Sequence, residues 1–158
     1  MEFPNFRQMK AQPWTLVTVL LFLLVGPAWA DDIRPAMEAI NAKFLAAFNT
    51  PNAAAFPVLY TDDAILIFHG VPPIVGPEAI KRFWESRISA GARDHTFDII
   101  ETWAEGKLAY QFSKAGVQLV RPTGEKTSIS GHTLRVFEMQ SNGTWKTKVH
   151  MFNILSGP

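Results

Sequence analysis

Four histidines, His69, His95, His132 and His150, are the side chains of this 158-residue chain best suited to proton transfer near neutral pH. None of them is spaced two or four from another on one helix, and no carboxylate cluster accompanies them, so no metal site and no cofactor is expected. Hairpin arithmetic selects among the four. If Asn142-Gly143 is a two-residue turn, Ser141 pairs with Thr144, Arg135 falls opposite His150, and His132 falls opposite Asn153. Period-two alternation then puts His132, Leu134, Val136, Trp145, Val149, Met151 and Asn153 on one face and Thr133, Arg135, Phe137, Lys146, Lys148, His150 and Phe152 on the other. The first set is the more apolar and is assigned to the buried side, which leaves His132 and Asn153 as a polar pair on a greasy wall. Such a pair can orient a ligand, with His132 as acid or base, or it can satisfy itself internally and fill space. His69 and His95 fall in a loop and at a strand start, where solvation is expected. Asp62 and Asp63 read as a polar strand start and a cap rather than as catalytic carboxylates.

Helices must come first in the elements that position these groups. From Ile33 to Phe48 the apolar residues Ile33, Met37, Ile40, Phe44, Leu45 and Phe48 recur at spacings of three and four, and Pro35 suits the first turn. A short second helix, Ala53 to Leu59, is bent or cut by Pro57. Ala64 to Phe68 reads as a buried strand. Pro77 opens a third helix carrying Ile80, Phe83, Trp84 and Ile88, which Gly91 ends. Beyond it come strands at Thr96 to Trp103, Leu108 to Val120, Lys126 to Gln140 and Thr144 to Ile154, separated by turn sequences. Asn142-Gly143-Thr144 also matches a glycosylation sequon, but the hairpin turn explains it. Helices followed by a meander predict an α+β domain, with helices on one face of a mostly antiparallel sheet.

The first thirty residues read as an address. Arg7 and Lys10 are followed by the apolar run Leu16 to Val25 and by Ala28-Trp29-Ala30, a small-x-small site, so export with cleavage before Asp31 is expected. The competing reading is a retained anchor. A spanning helix needs about 20 apolar residues, and this run ends sooner, in Gly26-Pro27. Asp31 to Pro158 then forms one domain, periplasmic or secreted and free of the membrane once cleaved. The chain has no cysteine, so its stability outside the cytoplasm must come from packing. Its formal charge of +1, with scattered basic residues and no Gly-rich phosphate loop, argues against nucleic-acid and nucleotide partners.

The order of elements, together with Leu59-Tyr60-Thr61-Asp62-Asp63-Ala64, Ile74-Val75-Gly76-Pro77-Glu78-Ala79-Ile80, Gly106-Lys107-Leu108-Ala109-Tyr110 and Asn142-Gly143-Thr144-Trp145-Lys146, resembles the SnoaL-like and ketosteroid-isomerase-like families of the nuclear-transport-factor-2-like superfamily. The resemblance covers Asp31 to Pro158. It implies a cone-shaped half-barrel, three N-terminal helices packed on a curved sheet, whose open end holds a small ligand, and dimers formed through the outer sheet face. It also implies positions for the isomerase base and its two oxyanion donors, and these fall at about Phe68, Phe44 and His132. Phenylalanine neither takes nor donates a proton, so ketosteroid isomerisation is excluded by residue match.

Three readings remain. The favoured one is an exported binding or accessory domain that holds a small apolar or aromatic molecule in a pocket lined by Phe44, Phe68, Trp84, Tyr110, His132 and Asn153. The second is a SnoaL-like isomerase, cyclase or dehydratase using His132. The third is a module for dimerisation or protein contact. A cavity of about 300 Å³ or more containing His132 would favour ligand chemistry. A homodimer is expected from an outer face bearing Phe137 and Phe152.

Overall fold

The computed structural model describes residues 32–50 and 52–156. The expected leader and its cleavage site lie outside the described residues. Helix α1, Arg34–Asn49, buries Met37, Ile40, Phe44, Ala47 and Phe48, the stripe that the spacing predicts, together with Asn41. The short second helix is divided into two 3-10 turns, Ala53–Ala55 and Pro57–Leu59. Pro57 has no N–H to continue a hydrogen-bonded ladder, and the buried Phe56 pins the junction. Helix α2, Pro77–Ser89, follows Gly76 and turns Ile80, Trp84 and Ile88 inward. Among the described residues no helix is long and apolar enough to cross a membrane.

Six strands form one curved, unclosed sheet: β1 Tyr60–Phe68, β2 Ile74–Val75, β3 Ala92–Glu105, β4 Leu108–Val120, β5 Lys126–Met139 and β6 Trp145–Ser156. Their order is β2-β1-β6-β5-β4-β3, antiparallel throughout except for the parallel pair β1–β6. The helices cover the concave face. One core cluster joins Phe44, Phe48, Phe56, Tyr60, Leu66, Ile80, Trp84 and Ile88, and a second joins Met37, Ile40, Ala109 and Phe137, with Trp145 packed against it. Gly131 stands where a Cβ would lie 2.0 Å from the Asn153 carbonyl oxygen, so only glycine fits at the register shift between Ser130 and Gly131.

The predicted pairings are present: His132 is opposite Asn153 and Arg135 is opposite His150. The predicted faces are reversed. Thr133, Arg135, Phe137, His150 and Phe152 are buried under the helices, whereas Leu134 and Met151 are 37% and 39% exposed on the convex side. The convex side carries the more apolar set, while the polar groups of the concave set are bonded inside, Arg135 to Asn41, His150 to Tyr60 and Thr133 to the Met151 carbonyl, so apolarity does not mark the buried side. A second departure lies in β6. Its partner register slips by one between Val136 and Phe137, which makes Lys148 an extra residue. That bulge turns Trp145 inward and leaves Val149, Met151 and Asn153 outward, so Trp145 does not share a face with them. His132 is half-buried on the convex side, its ring stacked on Phe112 at 5.2 Å, and Asn153 is exposed. Phe137 and Phe152, expected on a dimer face, are core residues at 0% and 5% exposure.

Candidate functional site

The middle of the concave wall carries a polar row built by register alone: Gln111 on β4 faces Arg135 on β5, which faces His150 on β6. All three are buried. Arg135 donates from Nη2 to Asn41 Oδ1 on α1, and its guanidinium carbon lies 4.4 Å from the Phe97 ring centroid and 5.2 Å from that of Phe137. No carboxylate pairs with Arg135 among the described residues, and its Nε has no hydrogen-bond partner. Burial holds its pKa down at about 10. Arg135 is still charged at neutral pH, and its two aromatic neighbours supply part of the attraction that a counter-ion would give.

His150 is tied to the helical layer by a short relay. Trp84 Nε1–H donates to Tyr60 Oη at 3.2 Å, and Tyr60 Oη stands 3.0 Å from His150 Nδ1. With one Tyr60 lone pair taken by Trp84, the phenol proton satisfies Nδ1 and the imidazole proton resides on Nε2, the assignment that leaves fewest groups unpaired. His150 Nε2 itself has no partner. Burial, followed by the charges of Arg135 and His95, pushes the His150 pKa well below the ordinary histidine range. Burial raises that of Tyr60.

His95 is the third buried polar ring. Its burial corrects the expectation of a solvated strand start. Strand β3 begins at Ala92, and a register shift between Arg93 and Thr96, with Asp94 at a φ of 51°, swings His95 inward. Asn49 Oδ1 accepts the His95 backbone N–H at 3.1 Å. The imidazole packs against Phe48 at 5.0 Å and Phe97 at 4.6 Å between ring centroids. Burial first and the Arg135 charge second lower its pKa to about 3, and Nδ1 has no partner. It is a neutral imidazole throughout the neutral range.

His95 lines a cavity of about 150 Å³ between α2 and the sheet. Phe48, Trp84 and Phe152 form much of its wall, Phe68 at the end of β1 closes one side, and the half-buried Arg87 and exposed Ala90 stand at its outer edge. Among the described residues its lining includes no carboxylate, hydroxyl or thiol. The cavity therefore offers shape, apolar surface, one neutral imidazole and one cation, without a nucleophile or a strong base.

Of the residues selected from sequence, Phe68 and Trp84 line this cavity. Phe44 lies behind the wall, its ring 5.4 Å from both Trp84 and His95. Tyr110, His132 and Asn153 are brought together with none of these. Tyr110 stacks on Trp103 at 6.0 Å and donates its hydroxyl proton to Glu101. Asp63 accepts from Thr61 at 2.8 Å and from Lys148 at 2.8 Å, and these bonds hold its carboxyl below the usual range. Sequence reasoning passed over His95, Arg135, His150 and Arg87. The signal for Arg135 and His150 was present in the pairing and was lost in the choice of face; for His95 it required the bulge at Asp94.

Residues 42–146 match the family model described as SnoaL-like domain. Comparison of the sequence with curated proteins gives no match. Among solved structures, the chain is similar to a ketosteroid isomerase-like protein from Erwinia carotovora atroseptica SCRI1043, with a TM-score of 0.70 and 23% identity over 80% of this chain and 98% of that one. It is similar also to a conserved protein from Planctomyces limnophilus, with a TM-score of 0.69 and 17% identity over 77% and 97% of the two chains. An NTF2-like protein with a cystatin-like fold from Novosphingobium aromaticivorans gives a TM-score of 0.67 and 18% identity over 79% and 83%. The motifs, the cone built from them and the family match agree: the chain belongs to the SnoaL-like domain family and has the fold of the NTF2-like structure it resembles.

Proposed function

We propose that this SnoaL-like domain is an exported, homodimeric binding module that holds one small apolar or aromatic molecule in its cone without transforming it. The observation that carries the reading is the composition of the cavity: apolar walls around His95, whose pKa of about 3 makes it a hydrogen-bonding group and a poor base at neutral pH. The volume of about 150 Å³ is half of what a drug-sized ligand needs and matches a benzene-sized body. The enzyme reading loses its proposed acid–base group, since His132 stands on the convex face away from this cavity.

Toluene and phenol, followed by ligand-observed NMR and thermal shift, test the reading. Both are expected to bind, with dissociation constants between about 10 μM and a few mM given the small number of atoms that can contribute. His95→Leu should weaken phenol at least fivefold more than toluene. Absence of binding by either molecule would refute the binding module and leave the dimerisation or protein-contact reading.

A further inference from the structure

We propose that the cavity is selective for small monocarboxylates, with an apolar body inside and the carboxylate held at the lip by Arg87. The inference rests on the binding reading above and names the class of ligand. Among the described residues Arg87 is the one charged side chain lining the cavity. Its guanidinium carbon lies 5.0 Å from the centroid of Phe68 and 4.9 Å from that of Phe83. Contact with two phenylalanine rings fixes the guanidinium without using its N–H groups, because a ring face attracts the cation and accepts no strong hydrogen bond. Among the described residues no carboxylate pairs with Arg87, and no side-chain or carbonyl oxygen accepts from it. A held guanidinium with its donor edge free is suited to bidentate capture of a carboxylate.

The surroundings favour a negative head at this end. Arg87 lies in the last turn of α2, whose carbonyl ends would repel an anion. Two of those carbonyls are engaged: Ala90 N–H donates to the Ser86 oxygen, and Gly91 N–H and Arg93 Nη1 donate to the Ile88 oxygen, while Arg93 Nη1 also donates to the Ala92 carbonyl at the start of β3. Arg93 thus brings a second positive charge to the same end of the helix. Deeper in, the unpaired Arg135 behind His95 adds to the positive potential, and no acidic side chain on the lining opposes it. A carboxylate at the half-exposed lip keeps part of its hydration while a ring or branched alkyl body fills the dry interior.

Benzoate and benzamide separate charge from shape, since they differ little in size and benzoate is ionised at pH 7. Isothermal titration at low salt with the full exported domain should show benzoate binding at least tenfold tighter than benzamide, a preference that shrinks as salt is raised. Arg87→Gln should remove the preference, and Arg87→Lys, which retains the charge without the fork, should keep part of it. Equal affinity for the two probes, or a preference that survives Arg87→Gln in a variant with wild-type circular dichroism, would overturn the proposal while toluene binding still upholds the binding module. If toluene, benzamide and benzoate all fail to bind, both fall together.

Discussion

A neutral imidazole buried at His95 links the site to stability through pH. In the unfolded chain a histidine takes up a proton near pH 6.5, whereas the folded domain resists doing so until about pH 3. Between those limits the unfolded state binds more protons, so stability rises with pH: the contribution is fully present above about 6.5 and is lost progressively as pH falls toward 3. On this basis His95 alone should lower unfolding stability by about 2 kcal/mol between pH 7.5 and pH 5. His150, shifted the same way by its own burial, adds to the loss. Urea denaturation at the two pH values measures it, and His95→Leu should flatten the dependence. An unchanged pH profile in that variant would show that the imidazole is protonated or solvated in the folded state. None of this was legible from residue type. A histidine among phenylalanines reads the same in sequence whether its ring points into a core or into water, and for His95 the choice was made by the backbone at Asp94, where φ is 51°.

Bulges explain at the element scale why the facing of Trp145 and His95 was not legible although the β5–β6 pairing was. The β5–β6 connection is a three-residue loop, Ser141-Asn142-Gly143, with Gly143 at a φ of 80° and Gln140 bonded to the Thr144 carbonyl oxygen at 2.8 Å. A two-residue turn would give a register offset by one residue; the extra residue at Lys148 restores it, so His132 still meets Asn153. The two departures cancel in register but leave the Trp145 end of β6 on the opposite face from what uniform alternation requires. The helix stripes needed no such correction, because their period is set within one segment. Deleting Lys148 should therefore cost little more than truncating it. Lys148→Ala removes ion pairs to Asp63 and Glu138 at 2.8 and 2.7 Å on the surface, where such pairs contribute little. The deletion joins Thr147 to Val149 and restores plain alternation, so Trp145, Thr147, His150 and Phe152 all keep their inward faces. It should lower Tm by no more than about 5 °C in a thermal melt, and a deletion variant that loses about 10 °C or more would show that the bulge itself carries structural load.

Curvature gives the whole molecule two unlike faces. The concave side is filled by the helices, and among the described residues no helix lies over the convex side. Across that side the register aligns Phe112, Leu134, Met151 and Ile67 in one row over four strands, with Val136, Val149 and Ile65 in the next. Leu134, Met151 and Ile65 are 37%, 39% and 36% exposed, and such a contiguous apolar surface is the kind a second copy covers. The expected homodimer therefore moves from Phe137 and Phe152 to this face, and the two sets of residues make opposite predictions. Leu134→Asp should convert the dimer to a monomer by light scattering at micromolar concentration while circular dichroism stays native, because the new charge remains in water. Phe152→Asp should unfold the domain, since Phe152 is 5% exposed and stacks on Phe68 at 5.5 Å, and the substitution exchanges that buried ring for a small charged group. A monomeric wild-type protein would end the dimer proposal. Phe152→Asp remaining folded but monomeric would restore the face that alternation first indicated.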